Sequence, residues 1–239
     1  MFIGDYHTHT RFSDGKGTVW ENALAAKARS LREIAVTDHG FRIPTMSFQK
    51  FLKAKALCRE AEEQTGIRVF AGVEANIISD EGDLDLSEEQ IGEVEYLIAG
   101  FHKFAIPKNL RSFLDSYAVT YFNGAIKTSR TAVERNTRAV IRAIEKYPLK
   151  ALAHVNHSLK VDVYAVAKAC REKGVLVELN AKHLNDLEGE WAALIESGAD
   201  FVLNSDAHTP SAVGAMDSAL QTVLAAGIPA DKIKNYIGE

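Results

Sequence analysis

The chain has 239 residues, 46% of them hydrophobic and 25% charged, a composition that builds a buried core and excludes a disordered tail. Twenty-eight basic against thirty-two acidic residues leave a net charge of −4, the opposite of the strongly basic surface that long nucleic acid requires. Cys58 and Cys170 lie outside any CxxC, which excludes a disulfide framework and a thiolate zinc knuckle. No apolar stretch reaches the roughly 18 residues of a membrane span, and no basic-then-apolar leader opens the chain. We therefore expect a cytoplasmic protein with no membrane partner, forming a single domain over residues 1–239. A chain of this length buries roughly 70–75% of its unfolded surface, so any metal it binds serves function rather than folding.

In chain order, a strand-like run at 2–6 is followed by a helical pattern at 18–31 and a second run at 33–37. Phe48, Phe51, Leu52 and Cys58 share one helical face, and a third run follows at 68–74. A fourth run at 96–99 precedes the stretch 107–130, which carries Phe113, Tyr117, Tyr121, Phe122 and an Asn123-Gly124 turn but no clear strand. That stretch reads as an ordinary packed excursion, with a lid or a subunit contact as alternatives. Val133, Thr137, Val140, Ile141 and Ile144 mark a further helix. Runs at 151–153, 175–179 and 201–203 then alternate with helical patterns at 161–173 and 190–197. Gly66, Gly174 and Gly198 each stand where a helix wants a left-handed C-cap. Seven strands separated mostly by helices predict an α/β protein whose parallel sheet closes, or nearly closes, into a barrel, with a doubly wound sheet as the alternative.

Six of the eight histidines, His7, His9, His39, His102, His154 and His208, fall at or just past the C-terminal end of a predicted strand. Glu74, Asp206 and Asp14 share that address. In a parallel barrel all these ends open onto one face, so residues scattered over the chain converge in a single cup. Imidazoles and carboxylates without thiolates suit Zn, Mn or Fe. Nine donors exceed the positions around one cation, so two or three ions sharing a bridging carboxylate is the economical arrangement. Singly, each residue has a structural reading: a satisfied core histidine, a capping role for Asp38, a lysine partner for Glu74, a turn cap for Asp206. Jointly they are hard to place in a core, because buried polar groups need partners. His157 is expected at solvent or behind the cup, and His183 near the cup as a substrate contact. Arg11, Arg42, Lys103 and Lys182 also follow strand ends, where cations hold phosphate.

The motifs His7-x-His9, Ser13-Asp14-Gly15, Thr37-Asp38-His39, Gly72-Val73-Glu74, Gly100-Phe101-His102, His154 and Ser205-Asp206-Ala207-His208 resemble the polymerase and histidinol phosphatase (PHP) superfamily, from Tyr6 to Thr209. Their order and spacing are most similar to stand-alone bacterial PHP hydrolases of the YcdX type, as is Asn180 after a late strand, which joins the substrate-contact candidates. The resemblance implies a distorted (βα)7 TIM-like barrel, three divalent metal ions (Zn, or Mn/Fe) and hydrolysis of phosphate esters. It implies that His7, His9, Glu74 and Asp206 hold the first ion, that Glu74, His102 and His154 hold the second with Glu74 bridging, and that Asp14, His39 and His208 hold the third. Asp206, Glu74 and His9 would be the residues on which catalysis depends. Asp14 stands where YcdX-type members have histidine, which should harden the third site toward Mn or Fe. His154-Val155-Asn156 replaces the commoner His-Pro-Gly, and the stretch 107–130 looks longer than its counterpart.

On this resemblance, two neighbouring cations would activate a bridging hydroxide and a third would stabilise phosphate or leaving-group charge. The leaving-group acid is left open between metal-bound water, His183 and an unliganded histidine. The function expected is a phosphatase for a small phosphorylated substrate, histidinol phosphate being one named candidate. Alternatives are a phosphodiesterase or 3′-end nuclease on short oligonucleotides, carbon–nitrogen hydrolysis on an amidohydrolase-type barrel, and a non-catalytic metal-loaded partner module.

Overall fold

Local chemistry sets most element ends. A computed structural model describes residues 1–102 and 129–238, with strands β1 (Gly4–Thr8), β2 (Glu33–Val36), β3 (Arg68–Asn76), β4 (Tyr96–Gly100), β5 (Ala151–Leu152), β6 (Leu176–Asn180) and β7 (Phe201–Asn204). Between and after them run α1 (Val19–Ala28), α2 (Phe48–Thr65), α3 (Glu88–Gly92), α4 (Arg130–Lys146), α5 (Val163–Lys173), α6 (Trp191–Ser197) and α7 (Asp217–Ala225). Thr18 and Ser87 close capping boxes with Glu21 and Gln90, and Ser47, Ser129 and Asp162 cap α2, α4 and α5. Gly66, Gly174 and Gly198 end α2, α5 and α6 with φ of 73°, 68° and 67°, the left-handed caps their positions called for.

All strand pairs are parallel and run in sequence order from β1 to β7. The last strand then returns to the first: Thr8 bridges Ala207, the His9 amide donates to the Ala207 carbonyl at 2.8 Å, and the Ala207 amide donates to the His7 carbonyl at 3.2 Å. A doubly wound sheet would permute this order and leave two open edges, so that alternative is excluded and the nearly closed barrel holds. The lower barrel is filled by Ile98, Ala151, Ala153 and Val202 against Tyr6, Tyr96 and Leu176, with the Tyr6 and Tyr96 rings stacked 5.0 Å apart. Above this plug the buried residues become polar: His7, Glu74, Glu178, Asn180 and Asn204. The helices pack outside, where Phe51, Ala61, Val166, Cys170 and Leu194 are buried; both thiols are free.

Several expectations shift in detail. β1 ends at Thr8, so His7 lies within the strand rather than after it, and β3 runs two residues past Glu74. Short α3 and the late helix α7 were not anticipated. The stretch expected as a packed excursion begins α4 at Arg130 and otherwise lies outside the described residues, apart from Ser129. Among the described residues no helix is long and apolar enough to cross a membrane.

Candidate functional site

The upper rim of the barrel is shaped by local irregularities of the backbone. β1 carries one extra residue relative to β2 between Asp5 and Thr8, a bulge that re-aims side chains. Tyr6 thereby joins the apolar plug and donates to Glu33 Oε1 at 2.5 Å, while its neighbour His7 meets Glu178. The loop after β1 is tied down by Asp38, which accepts from the Thr10 amide at 2.8 Å, the Thr10 hydroxyl at 2.6 Å and the Ser13 hydroxyl at 2.5 Å. Asp38 thus orders the loop that presents Asp14, rather than capping its own following segment. His154 and Asp206 have φ of 28° and 54°, backbone strain of the kind that collects at functional sites and costs about 1–3 kcal/mol each. Asn156, at φ 70°, takes the left-handed conformation available to glycine and tolerated by asparagine, so the His-Val-Asn sequence still makes the turn.

All nine predicted donors converge. Glu74 lies at the centre: its Oε1 is 2.6 Å from His154 Nε2, 3.1 Å from His102 Nε2 and 3.4 Å from His7 Nε2. Its Oε2 is 2.9 Å from His39 Nδ1 and 3.6 Å from His9 Nε2. Asp206 Oδ1 is 3.5 Å from His9 Nε2, 3.9 Å from His7 Nε2 and 3.3 Å from His208 Nδ1. Asp14 Oδ2 lies 3.3 Å from His39 Nε2 and 3.2 Å from His208 Nε2.

Behind this set stands a fourth carboxylate, absent from the sequence-based candidates. Buried Glu178 faces His7 Nδ1 at 2.7 Å and accepts from the His154 amide at 2.7 Å, Asn204 Nδ2 at 2.9 Å and Asn180 Nδ2 at 3.1 Å. Asn76 Oδ1 faces His102 Nδ1 at 2.7 Å. Such partners fix the tautomer and ring orientation of a ligating histidine. A signal was present: Glu178 sits inside the apolar run of β6, and Asn180 is the register partner of Asn204.

The charges are mutually dependent. Burial alone would raise the carboxyl of Glu74, but His102 and His7 hold it well below the usual range; Asp206 is depressed likewise, against burial, by His7 and His208. Asp14 is lowered against burial by His208 and His39. Burial pushes His9 down to about 4. His39 rises to about 10 and His208 to about 9, because Asp14 with Glu74, and Asp14 with Asp206, outweigh their burial. Protons on imidazoles thus stand where cations would neutralise the three carboxylates. The residues fit metal: the donors are all nitrogen and oxygen, and buried His9 Nδ1, His39 Nδ1 and Glu74 Oε2 find no well-directed hydrogen-bond partner among the described residues.

The substrate-contact candidates divide. Lys182 Nζ lies 2.7 Å from His208 Nδ1 and 3.4 Å from Asp206 Oδ1, and His183 Nε2 lies 3.7 Å from Asp206 Oδ2. Asn180 is fully buried, donating to Asp206 Oδ2 at 3.2 Å while its Oδ1 accepts from the Lys182 amide at 3.0 Å; it holds Asp206 in place rather than facing a substrate. Arg11 lines a groove with Trp20, Leu57 and Gln64, and Arg42 lines one with Asp83, Ser87 and Tyr147; none of the nine donors borders either groove. Lys103 lies outside the described residues. His157 is at the solvent edge, as expected, with its Nδ1 2.7 Å from Asp186 Oδ2.

Comparison with known proteins yields a family and a fold. The PHP domain family model matches residues 5–182. A protein of Thermoanaerobacter sp. (strain X514) named a probable phosphatase is 30% identical over 98% of this chain and 94% of its own. One of the same name from Acetivibrio thermocellus is 30% identical over 98% and 91%. Among solved structures, histidinol phosphate phosphatase from Lactococcus lactis, complexed with Zn, L-histidinol and phosphate, superposes with a TM-score of 0.65 at 18% identity, covering 95% of this chain and 94% of that one.

Proposed function

The chain belongs to the PHP domain family, and from that premise we propose that it is a metal-dependent phosphatase acting on a small phosphate monoester through a trinuclear centre. One observation carries the reading: both oxygens of a single buried carboxylate, Glu74, are shared among five imidazoles. His7, His9 and Asp206 would hold one ion with Glu74, His102 and His154 a second with Glu74, and Asp14, His39 and His208 a third. Divalent cations bound there supply an activated water and charge stabilisation on phosphoryl oxygens. The protein's own groups then do the positioning. With a cation bound, Glu178 would accept the His7 Nδ1 proton and so keep the Nε2 lone pair turned inward. Lys182 offers an ammonium beside Asp206 and His208 for a non-bridging phosphate oxygen. His183, the imidazole beside Asp206 outside the nine donors, is kept neutral by burial and by His157, its pKa pushed down to about 4, and would hydrogen-bond the substrate. Relatives named as phosphatases and a structural neighbour holding Zn with phosphate support this reading. Histidinol phosphate is one named candidate substrate.

The test compares p-nitrophenyl phosphate with its bis ester, using full-length protein before and after chelation and reloading with Mn or Zn. Metal-dependent turnover of the monoester, slower turnover of the diester and loss of activity in folded Asp206→Asn are expected. Undiminished turnover in that variant, or in chelated protein, would contradict the proposal.

A further inference from the structure

A second group of donors lies at the rim, outside the nine. His157 comes from the loop after β5; His183 and Asp186 come from the loop after β6, where a 3₁₀ turn (Leu184–Leu187) begins. In a 3₁₀ turn residues three apart eclipse, so His183 and Asp186 point the same way, and the Asp186 amide donates to the His183 carbonyl at 3.0 Å. The two loops are locked together, since buried Asn156 donates its side-chain amide to the Asp186 carbonyl at 3.0 Å. The result brings the His157 and His183 rings to 3.7 Å between centroids. Both rings face one oxygen: Asp186 Oδ2 is 2.7 Å from His157 Nδ1 and 3.7 Å from His183 Nδ1.

A hydrogen bond from His157 explains the first of these distances. It leaves unexplained why a second imidazole, tilted 36° to the first, faces the same oxygen from beyond hydrogen-bond range. A cation held in common accounts for the two N···O distances. Donors about 2.1 Å from a tetrahedral cation stand about 3.4 Å apart, and 2.7 and 3.7 Å bracket that separation. The ligand atoms of all three residues lie within 4.8 Å of one another. Their side chains are 36%, 26% and 30% exposed, so an ion can enter from solvent without passing through the cup.

We propose that His157, His183 and Asp186 form an additional cation site at the mouth of the barrel, selective for a borderline divalent ion of the Zn class. Two imidazoles and one carboxylate leave a coordination position for water or for an anionic group on an incoming ligand. The ion would bind His183 through Nδ1, leaving its Nε2, 3.7 Å from Asp206 Oδ2, as the protonated nitrogen facing the cup. The site uses none of the nine donors around Glu74 and shares only His183 with the proposed function, so metal readouts at His157 and Asp186 test it separately.

Crystals of the full chain equilibrated with Zn or Co, measured at the metal edge, are expected to show an anomalous peak among His157 Nδ1, His183 Nδ1 and Asp186 Oδ2. In solution, metal analysis after equilibration with Zn should find one ion fewer per chain in Asp186→Asn and in His157→Gln than in the parent, with unchanged circular dichroism. Two variants guard against one failing to fold. The absence of a peak at these three residues, or equal stoichiometry in either folded variant, would overturn the proposal. An empty Glu74 centre beside a filled rim site would instead count only against the proposed function.

Discussion

Glu178→Gln should weaken metal binding in the cup although Glu178 is not among the nine donors. Its two oxygens take four contacts: Oε1 with His7 Nδ1 and Asn204 Nδ2, Oε2 with the His154 amide and Asn180 Nδ2. Glutamine keeps the shape but turns one acceptor into a donor. With its amide group toward Oε2, two buried donors lose their acceptor, at about 1–3 kcal/mol each. With it toward Oε1, His7 must accept at Nδ1 and carry its proton on Nε2, which lies 3.4 Å from Glu74 Oε1. Either way a contact that supports a cup ligand, His154 or His7, is lost, and loss of such a supporting contact typically costs about 10–100-fold in metal affinity, or about 1.4–2.7 kcal/mol. Competition titration against a chromophoric chelator reads the affinity directly, with circular dichroism establishing the fold. Parental affinity in a folded Glu178→Gln variant would refute the reasoning.

Gly100→Ala should disturb the same centre from the strand beside it, because a Cβ there would lie 2.7 Å from His154 Cε1 and 3.3 Å from Glu74 Oε1. Overpacking of this kind costs about 1–3 kcal/mol, to be seen as reduced metal content and a lower Tm. The cup also predicts a pH dependence. The pKa values of about 10 for His39 and about 9 for His208 exceed the ordinary 6.5, so their contribution to the metal-free fold is full below about pH 6.5 and is lost as pH climbs through 9–10. The Tm of chelated protein should therefore fall over that window, and cation binding at pH 7.5 should release protons, measurable as a buffer-dependent calorimetric heat; a heat independent of buffer would contradict this. Asp14→His should move the metal content of protein purified without added metal from Mn or Fe toward Zn, and parental protein carrying three zinc ions with no Mn or Fe would count against the role given to Asp14.

The ligands were legible because barrel topology turns one simple address, the C-terminal end of a strand, into one place in space. Donors as distant in sequence as His9 and His208 could be grouped without any local contact between them. The periodicity that identified the strands also gave their order, since helix-length gaps force parallel neighbours. What spacing could not carry was direction beyond the strand ends: Lys182 turns toward Asp206, whereas Arg11 turns to the groove beside Trp20. Nor did it reveal Glu178, whose place within an apolar strand marks it as buried without saying that four donors await it. The bulge in β1 was equally hidden, because it depends on how β1 pairs with β2.

The most direct measurement is anomalous scattering from crystals of the full chain grown with Mn or Zn and phosphate. Peaks are expected on both sides of Glu74, one near His7, His9 and Asp206 and one near His102 and His154, with phosphate within reach of Lys182. A cup without anomalous density around Glu74, in protein that still hydrolyses p-nitrophenyl phosphate, would contradict a phosphatase built on these residues.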